Sequence, residues 1–372
     1  ERGKIFFVVN VDWFFISHRL PLAQALLEKG FNVTLLAKNT GRKEEIEALG
    51  IRFINVNFDR AGKNPFKEIG IIYQLIRFFN KHKPDIIHNV TIKPVLYGSI
   101  AAKYYKNKNH KIFNAISGLG YNFIEGRNGI VQKTLKRLMN FAYSDNVNFI
   151  FQNPDDISLY KSMGFLKNEN YKLIKGAGVD EDQYAYHAPL KKEKLKVVVT
   201  ARMLYDKGIR EFVNAAGILK NIWEGKAVFI LAGDIDKHNP AGIEKEELEK
   251  LLVPGYIEWM GHQKDVRPLL VESDVVCLPS YREGLPKSLI EAMGIGRPIV
   301  TTEAPGCREC VDDNINGYLV PVKDEKALAQ AIERLLLNES LRVQMGNASR
   351  EKMIAELSLS KVINSTFEYY GI

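Results

Sequence analysis

The sequence predicts an α/β chain made of two similar halves, each a doubly wound parallel sheet. Three observations carry that expectation. Short apolar, β-prone runs alternate with amphipathic helical stretches along most of the chain, as strand–helix–strand units do. The alternation lapses over residues 181–194, rich in His, Pro and Lys, and restarts with LKVVVTA at 195–201 as a new first strand would. Residues 274–302 condense it into about thirty positions. The apolar run Val275 to Leu278 breaks at Pro279, a helix follows Pro286, and Pro298 leads into the second run Ile299 to Thr302.

In chain order, KIFFVVN (4–10) reads as a buried strand. A helix pattern begins near Ser17-His18, runs through Leu20, Leu22, Ala23, Leu26 and Leu27, and ends at Gly30. Strands are expected over 31–37, 51–56, 85–88, 111–116 and 149–151, and helices over 43–49, 66–81, 95–106 and 130–143. In the second half, helices are expected over 209–220, 245–252, 264–272, 325–337 and 341–357. Strands are expected over 227–232, 256–260 and 320–322, and residues 360–370 form a last helical segment. Gly294 and Gly296 are read as ending the helix after Pro286. The domains expected are 1–180, a linker 181–194, a second domain 195–357 and a final segment 358–372.

At 372 residues the chain has room for two or three domains with sizeable cores. No window approaches eighteen uninterrupted apolar residues, so no transmembrane helix is expected. The strand-like run that follows Glu1-Arg2-Gly3 leaves no signal peptide to expect. Cys277, Cys307 and Cys310 are too few for a disulfide framework, and a cytoplasmic location fits. The net charge of +8 is uneven, with 27 Lys and Arg against 17 Asp and Glu in residues 1–190, and 25 against 27 thereafter. A basic first half suits nucleic acid, an anionic membrane surface or a phosphorylated substrate, and equally a solvated surface.

Arg202 and Lys207 follow the strand 195–201, with Gly208 opening a helix. A guanidinium and an ammonium there suit adjacent phosphates, or are two exposed cations on a loop. Glu283 lies in the loop after the strand 275–278, and Glu291 eight residues on, within the helix. A carboxylate can accept from two neighbouring sugar hydroxyls. On a helical wheel, however, Glu291 falls opposite Leu289, Ile290, Ala292 and Met293. A solvated ion pair with Lys287 is then sufficient explanation. His18, His88 and Lys93 lie near expected strand ends, where a histidine can act as a base or simply pack. Ser117-Gly118-Leu119-Gly120 is too short a glycine motif for a dinucleotide, and no Walker phosphate loop occurs. Cys307 and Cys310 have metal-like spacing without a second pair, so no metal site is expected. The helix 130–143 carries Lys133, Lys136 and Arg137 beside an apolar stripe, which can meet a membrane or its own domain.

Together these residues resemble the retaining GT-B glycosyltransferases of family 4, formerly group 1. Glu283 to Glu291 matches that family's E-x7-E motif, Arg202 and Lys207 its R-x4-K pair, Gly306 to Glu309 its G-x-x-E turn, and Asn316-Gly317 with Val320-Pro321 its NG-x-LV-P element. The first half is similar to members that build bacterial surface glycans, among them N-acetylgalactosaminyltransferases extending an undecaprenyl-diphosphate sugar. Where many relatives carry His-x-His-x-x-Lys, this chain has His88, Val90 and Lys93. The resemblance implies two Rossmann-like domains facing a cleft and a nucleotide-sugar donor, UDP-linked by family habit. Arg202 and Lys207 would hold its diphosphate, Glu291 the ribose, and Glu283 the transferred sugar. Gly284, Leu285 and Pro286 would face sugar or phosphate, and Gly261 and His262 the base. His18 and Lys93 would be the catalytic candidates of the first domain.

The function expected is transfer of a hexose or N-acetylhexosamine to a polyprenyl-diphosphate-linked or saccharide acceptor. Retention of configuration, no metal and no cofactor are part of that expectation, as is peripheral contact with the inner membrane face. A sugar-nucleotide epimerase of the same fold is the alternative enzyme. A non-enzymatic polyanion binder is the alternative of another class, although aromatic-interleaved basic motifs are lacking.

Overall fold

The computed structural model describes residues 2–58, 65–118, 129–143, 146–166, 169–236 and 239–372. The chain divides into two compact units, Glu1–Ala177 with Ile363–Ile372, and Gly178–Val362.

The first unit holds a seven-stranded parallel sheet of β1 (Lys4–Val11), β2 (Asn32–Lys38), β3 (Arg52–Asn55), β4 (Ile86–Val90), β5 (Lys111–Ile116), β6 (Val147–Phe151) and β7 (Tyr171–Leu173). Its order is β3-β2-β1-β4-β5-β6-β7, with Phe7 of β1 beside Leu35 of β2 and His88 of β4. Helices cover both faces, so Ile5 to Val9 are all buried, which is why the strand reads as an unbroken apolar run.

The second unit repeats the plan. Its strands are β8 (Leu195–Thr200), β9 (Ala227–Ala232), β10 (Ile257–Trp259), β11 (Val275–Leu278), β12 (Ile299–Thr302) and β13 (Gly317–Val320), in the order β10-β9-β8-β11-β12-β13, all parallel. One core packs Val197, Phe229, Leu231 and Val276 against Phe212 and Ala216 of the helix Ile209–Trp223 and Leu289 of the helix Lys287–Ile295. In both units the winding direction reverses between the first and fourth strands in chain order, and ligands of such sheets bind beyond the strand ends at that reversal.

Several elements differ from the sequence expectation. Asp12–His18 is already helical, because the buried Asp12 carboxylate accepts from the Trp13 amide at 2.7 Å and the Thr40 amide at 2.5 Å, turning the chain straight out of β1. Leu20–Glu28 is then a separate helix beginning after Arg19. The helix Lys287–Ile295 continues through Gly294, and only Gly296, at φ +86°, ends it. Residues 264–272 shorten to the helix Arg267–Val271, with Asp265 Oδ1 accepting from the Arg267 amide at 3.0 Å in the turn before it. The expected helix 341–357 is Glu339–Lys352 followed by a wider turn, Met353–Leu357. Strand β7 was not expected, and β13 precedes the run 320–322 assigned to it. The segment 181–194 forms neither helix nor strand and belongs to the second unit. Leu119, Gly120 and the side chains of Ile130, Val131, Lys133 and Leu135 lie outside the described residues; Lys136 and Arg137 are exposed.

Candidate functional site

The site in the second unit is assembled at the reversal between β8 and β11. After Thr200 the Ala201 amide donates to the Ala232 carbonyl at 3.0 Å, which keeps the β8 exit beside that of β9. The tight turn Tyr205–Lys207 then passes through Gly208 into the helix Ile209–Trp223. Gly208 sits at φ +70°, and a Cβ there would lie 2.1 Å from the Pro279 carbonyl oxygen. Only glycine lets the β8 turn lie flat on the chain leaving β11. The Asp206 carbonyl accepts from the Tyr281 amide at 2.8 Å and from Ser280 Oγ at 3.0 Å, joining the two loops.

That joint brings Lys207 and Glu283 together. Lys207 Nζ donates to Glu283 Oε1, and Ser280 Oγ, whose one proton is shared with the Asp206 carbonyl, lies 2.9 Å from the same oxygen. Both side chains are 16 % exposed, and an ammonium has three donors, so Lys207 can serve a ligand as well. The Glu283 amide donates to the Pro305 carbonyl at 2.9 Å. Gly306, at φ +79°, presses on the same loop, and a Cβ on it would lie 2.4 Å from the Glu283 carbonyl oxygen. Next to them burial raises the Asp206 carboxyl, with Lys207 pulling it down.

Arg202 is placed differently. Its Nη1 pairs with Asp236 Oδ2 at 2.6 Å beyond β9, and it is 43 % exposed. Gly261, at φ +65°, accepts from the Gly233 amide at 2.8 Å, and His262 is exposed with Nδ1 3.8 Å from Asp234 Oδ2. The loops carrying Arg202, Asp234, His262 and Glu283 thus all leave the carboxyl edge of one sheet. Pro286 has no N–H, and its carbonyl accepts from Leu289 at 3.1 Å, so a contact through backbone amides falls to Gly284 and Leu285.

Glu291 is not the solvated residue its position on the helical wheel suggests. Its side chain is 12 % exposed, since the segment 181–194 lies over that face of the helix. Tyr184 donates its hydroxyl to Glu291 Oε1 at 3.0 Å, and Lys287 Nζ stands 3.5 Å from the same oxygen. Burial raises the Glu291 carboxyl above the usual carboxylate range, opposed by Lys287 and by the Tyr184 hydrogen bond.

In the first unit the expected residues have separate partners. His18 stacks on Phe14 at 4.1 Å and meets Ser17 Oγ through Nδ1 at 2.5 Å, while Lys93 pairs with Glu68 at 2.8 Å. His88 is buried against Phe7 and hydrogen-bonded to Tyr370, and burial holds it neutral, well below its ordinary pKa. Thr91 has φ +73°, a strained setting at the end of β4. Cys307 and Cys310 are buried free thiols, Cys307 pushed up to about 12 by burial. Among the described residues no group of His, Cys, Asp or Glu is arranged to hold a metal ion, and no helix is long and apolar enough to cross a membrane.

Ser280, Asp236 and Tyr184 are site residues that the sequence reading missed. Ser280 adjoins the E-x7-E segment and could have been suspected. Asp236 and Tyr184 carry no local signal.

Two parallel doubly wound sheets, the second bearing this loop cluster, define a GT-B protein. A crystal structure of HepE from Anabaena, in complex with UDP and glucose, superposes over all of both chains with a TM-score of 0.81 at 16 % identity. A glycosyltransferase from Rickettsia africae covers 98 % of its own length and all of this chain, with a TM-score of 0.76 at 21 % identity. The family model "Glycosyl transferases group 1" matches residues 181–352, and "Glycosyl transferase 4-like" matches 4–153. The chain belongs to the group 1, family 4-like glycosyltransferases. Among curated relatives, the N,N'-diacetylbacillosaminyl-diphospho-undecaprenol alpha-1,3-N-acetylgalactosaminyltransferase of Campylobacter jejuni is 28 % identical over 91 % of this chain and 93 % of its own. The UDP-Gal:alpha-D-GlcNAc-diphosphoundecaprenol alpha-1,3-galactosyltransferase of Escherichia coli is 22 % identical over 93 % and 90 %.

Proposed function

We propose that this glycosyltransferase moves a hexose or N-acetylhexosamine, with retention, from a UDP-sugar to a saccharide on a polyprenyl diphosphate during surface-glycan synthesis. The observation that carries the reading is the meeting of Lys207, Glu283 and the Gly306 turn at the β8–β11 reversal, with Arg202 on the adjoining loop. The leaving diphosphate gathers negative charge as positive charge develops at the anomeric carbon. Lys207 and Arg202 stabilise the first, and the N-terminus of the helix Lys287–Ile295 adds a partial positive charge. Glu283 holds the transferred sugar, Glu291 the ribose, and the loop of Gly261 and His262 the base. Front-face attack, with a donor phosphate oxygen taking the acceptor proton, needs no second catalytic carboxylate. The acceptor class is supported by the undecaprenyl-diphosphate-linked acceptors named for the Campylobacter jejuni and Escherichia coli relatives. The basic first half supports contact with an anionic membrane surface at the inner face.

The test is incubation of the chain with UDP-sugars and a synthetic undecaprenyl-diphosphate-linked saccharide, with and without EDTA. The expected product is the acceptor extended by one α-linked sugar in both cases. An epimerised nucleotide sugar formed without acceptor would overturn transfer in favour of epimerisation, and loss of turnover in EDTA would overturn metal independence. Binding of nucleic acid but of no nucleotide sugar would leave the polyanion binder instead.

A further inference from the structure

The carboxylate of Glu291 is held from outside its own helix, and the holding group is itself elaborately fixed. Asp180 Oδ1 accepts from the amides of Asp182 and Gln183, each at 2.9 Å, and the Asp180 carbonyl accepts from the Tyr184 amide at 3.0 Å. Arg350, on the helix Glu339–Lys352, then clamps this turn to the helix of Glu291. Its Nη1 donates to the Tyr184 carbonyl at 2.7 Å and the Gly294 carbonyl at 2.9 Å, and its Nη2 to the Glu181 carbonyl at 3.0 Å. Gly294 is needed for the approach, because a Cβ there would lie 2.9 Å from Tyr184 Cβ. One guanidinium therefore spans three carbonyls of two separate segments.

What the clamp presents is the Tyr184 hydroxyl, as a donor to Glu291 Oε1 at 3.0 Å. Burial, and the carboxylate itself, raise the phenol far above its ordinary range, so it stays a donor. The closest approach of Lys287 is to the same oxygen. Tyr184 and Lys287 both hold the carboxylate through Oε1, and a carboxylate locked in one rotamer loses little freedom on accepting from a ligand.

We propose that Tyr184 is a positioning residue for the nucleotide, fixing Glu291 so that the carboxylate reads the adjacent hydroxyls of a ribose and thereby separates ribonucleotides from 2′-deoxyribonucleotides. The inference rests on the reading that Glu291 holds the ribose. It adds to that reading a second residue, from a segment without regular structure, and a selectivity.

Calorimetric titration of the full chain with UDP and with 2′-deoxy-UDP, for wild type and Tyr184→Phe, tests it, with GDP and 2′-deoxy-GDP run in parallel. Wild type is expected to bind one ribonucleotide more tightly than its deoxy form. Tyr184→Phe should weaken the ribonucleotide by about five-fold, the scale of one lost hydrogen bond to a charged group, and weaken the deoxy form, which keeps only the 3′-hydroxyl, by less. Equal weakening of both forms makes Tyr184 merely structural and overturns the inference, as does an unchanged ratio in the variant. A wild type that binds both sugars alike removes the Glu291 reading itself. Arg350→Lys, which keeps charge but cannot span three carbonyls, should reproduce the selective loss; retention of wild-type selectivity by that variant would overturn the role given to the clamp.

Discussion

Glu283 and Lys207 are each other's nearest charge, so removing one leaves the other without its counter-ion in a mostly covered place. Glu283→Gln keeps the shape and the Ser280 contact while removing the charge. It should lower kcat by about 10²–10³-fold, the scale of losing one preorganised transition-state contact, with little change in UDP affinity. Lys207→Met should weaken UDP binding as well, since the ammonium is assigned to the diphosphate. Steady-state kinetics beside titration of UDP separates the two. Glu291 behaves in the opposite sense for stability. Its carboxyl is raised in the folded chain, so the fold favours the protonated form. Its contribution is fully present below the ordinary carboxylate pKa and is lost as pH rises through the raised value. Glu291→Gln should therefore melt at or above the wild-type temperature at pH 7.5, with any advantage vanishing near pH 4, yet bind UDP more weakly. Thermal melts at the two pH values check the first statement, and titration checks the second.

The loops at the β8–β11 reversal depend on two glycines that meet backbone rather than flexible side chains. Gly208→Ala puts a Cβ against the Pro279 carbonyl at a positive φ, and should destabilise the second unit by at least about 1–2 kcal/mol. Gly306→Ala pushes on the Glu283 and Gly284 carbonyls, and should cost activity more than stability. Denaturant midpoints and turnover measured on both variants test the pair. These elements were largely legible beforehand. Runs such as 197–199 and 227–232 are apolar without interruption, and Gly208, Pro279 and Pro298 punctuate the chain around them. The helix Asp12–His18 was not legible, because Trp13, Phe14, Phe15 and Ile16 continue the apolar character of β1, and the turn is made by distant amides reaching Asp12. Nor was the cover on Glu291. A helical wheel reports a helix alone, whereas Tyr184 arrives from a segment without periodicity, clamped by Arg350 from far along the chain. Lys207 and Glu283 were each readable as parts of separate motifs, but their ion pair, like Lys93 with Glu68 and His88 with Tyr370, depends on tertiary placement that no local spacing encodes.

Each unit has a core of its own, and the first is completed by Ile363–Ile372. Tyr370 is fully buried there, against His88 and Phe113, and its carbonyl accepts from Lys111 Nζ at 2.7 Å. Tyr370→Ala should cost about 3–5 kcal/mol, as truncation of a buried aromatic does. In calorimetry it should lower the first unit's transition, whereas added UDP should raise the second unit's. The contact between His88 and Tyr370 spans 282 positions of sequence. During translation all of 178–362 is therefore made before the first unit receives its last piece. Until those residues are present, the first unit lacks the buried Tyr370 that packs against His88 and Phe113. A released chain that ends at Val362 should show a protease-resistant second unit and a first unit open to cleavage, whereas the chain that continues to Ile372 should resist cleavage in both.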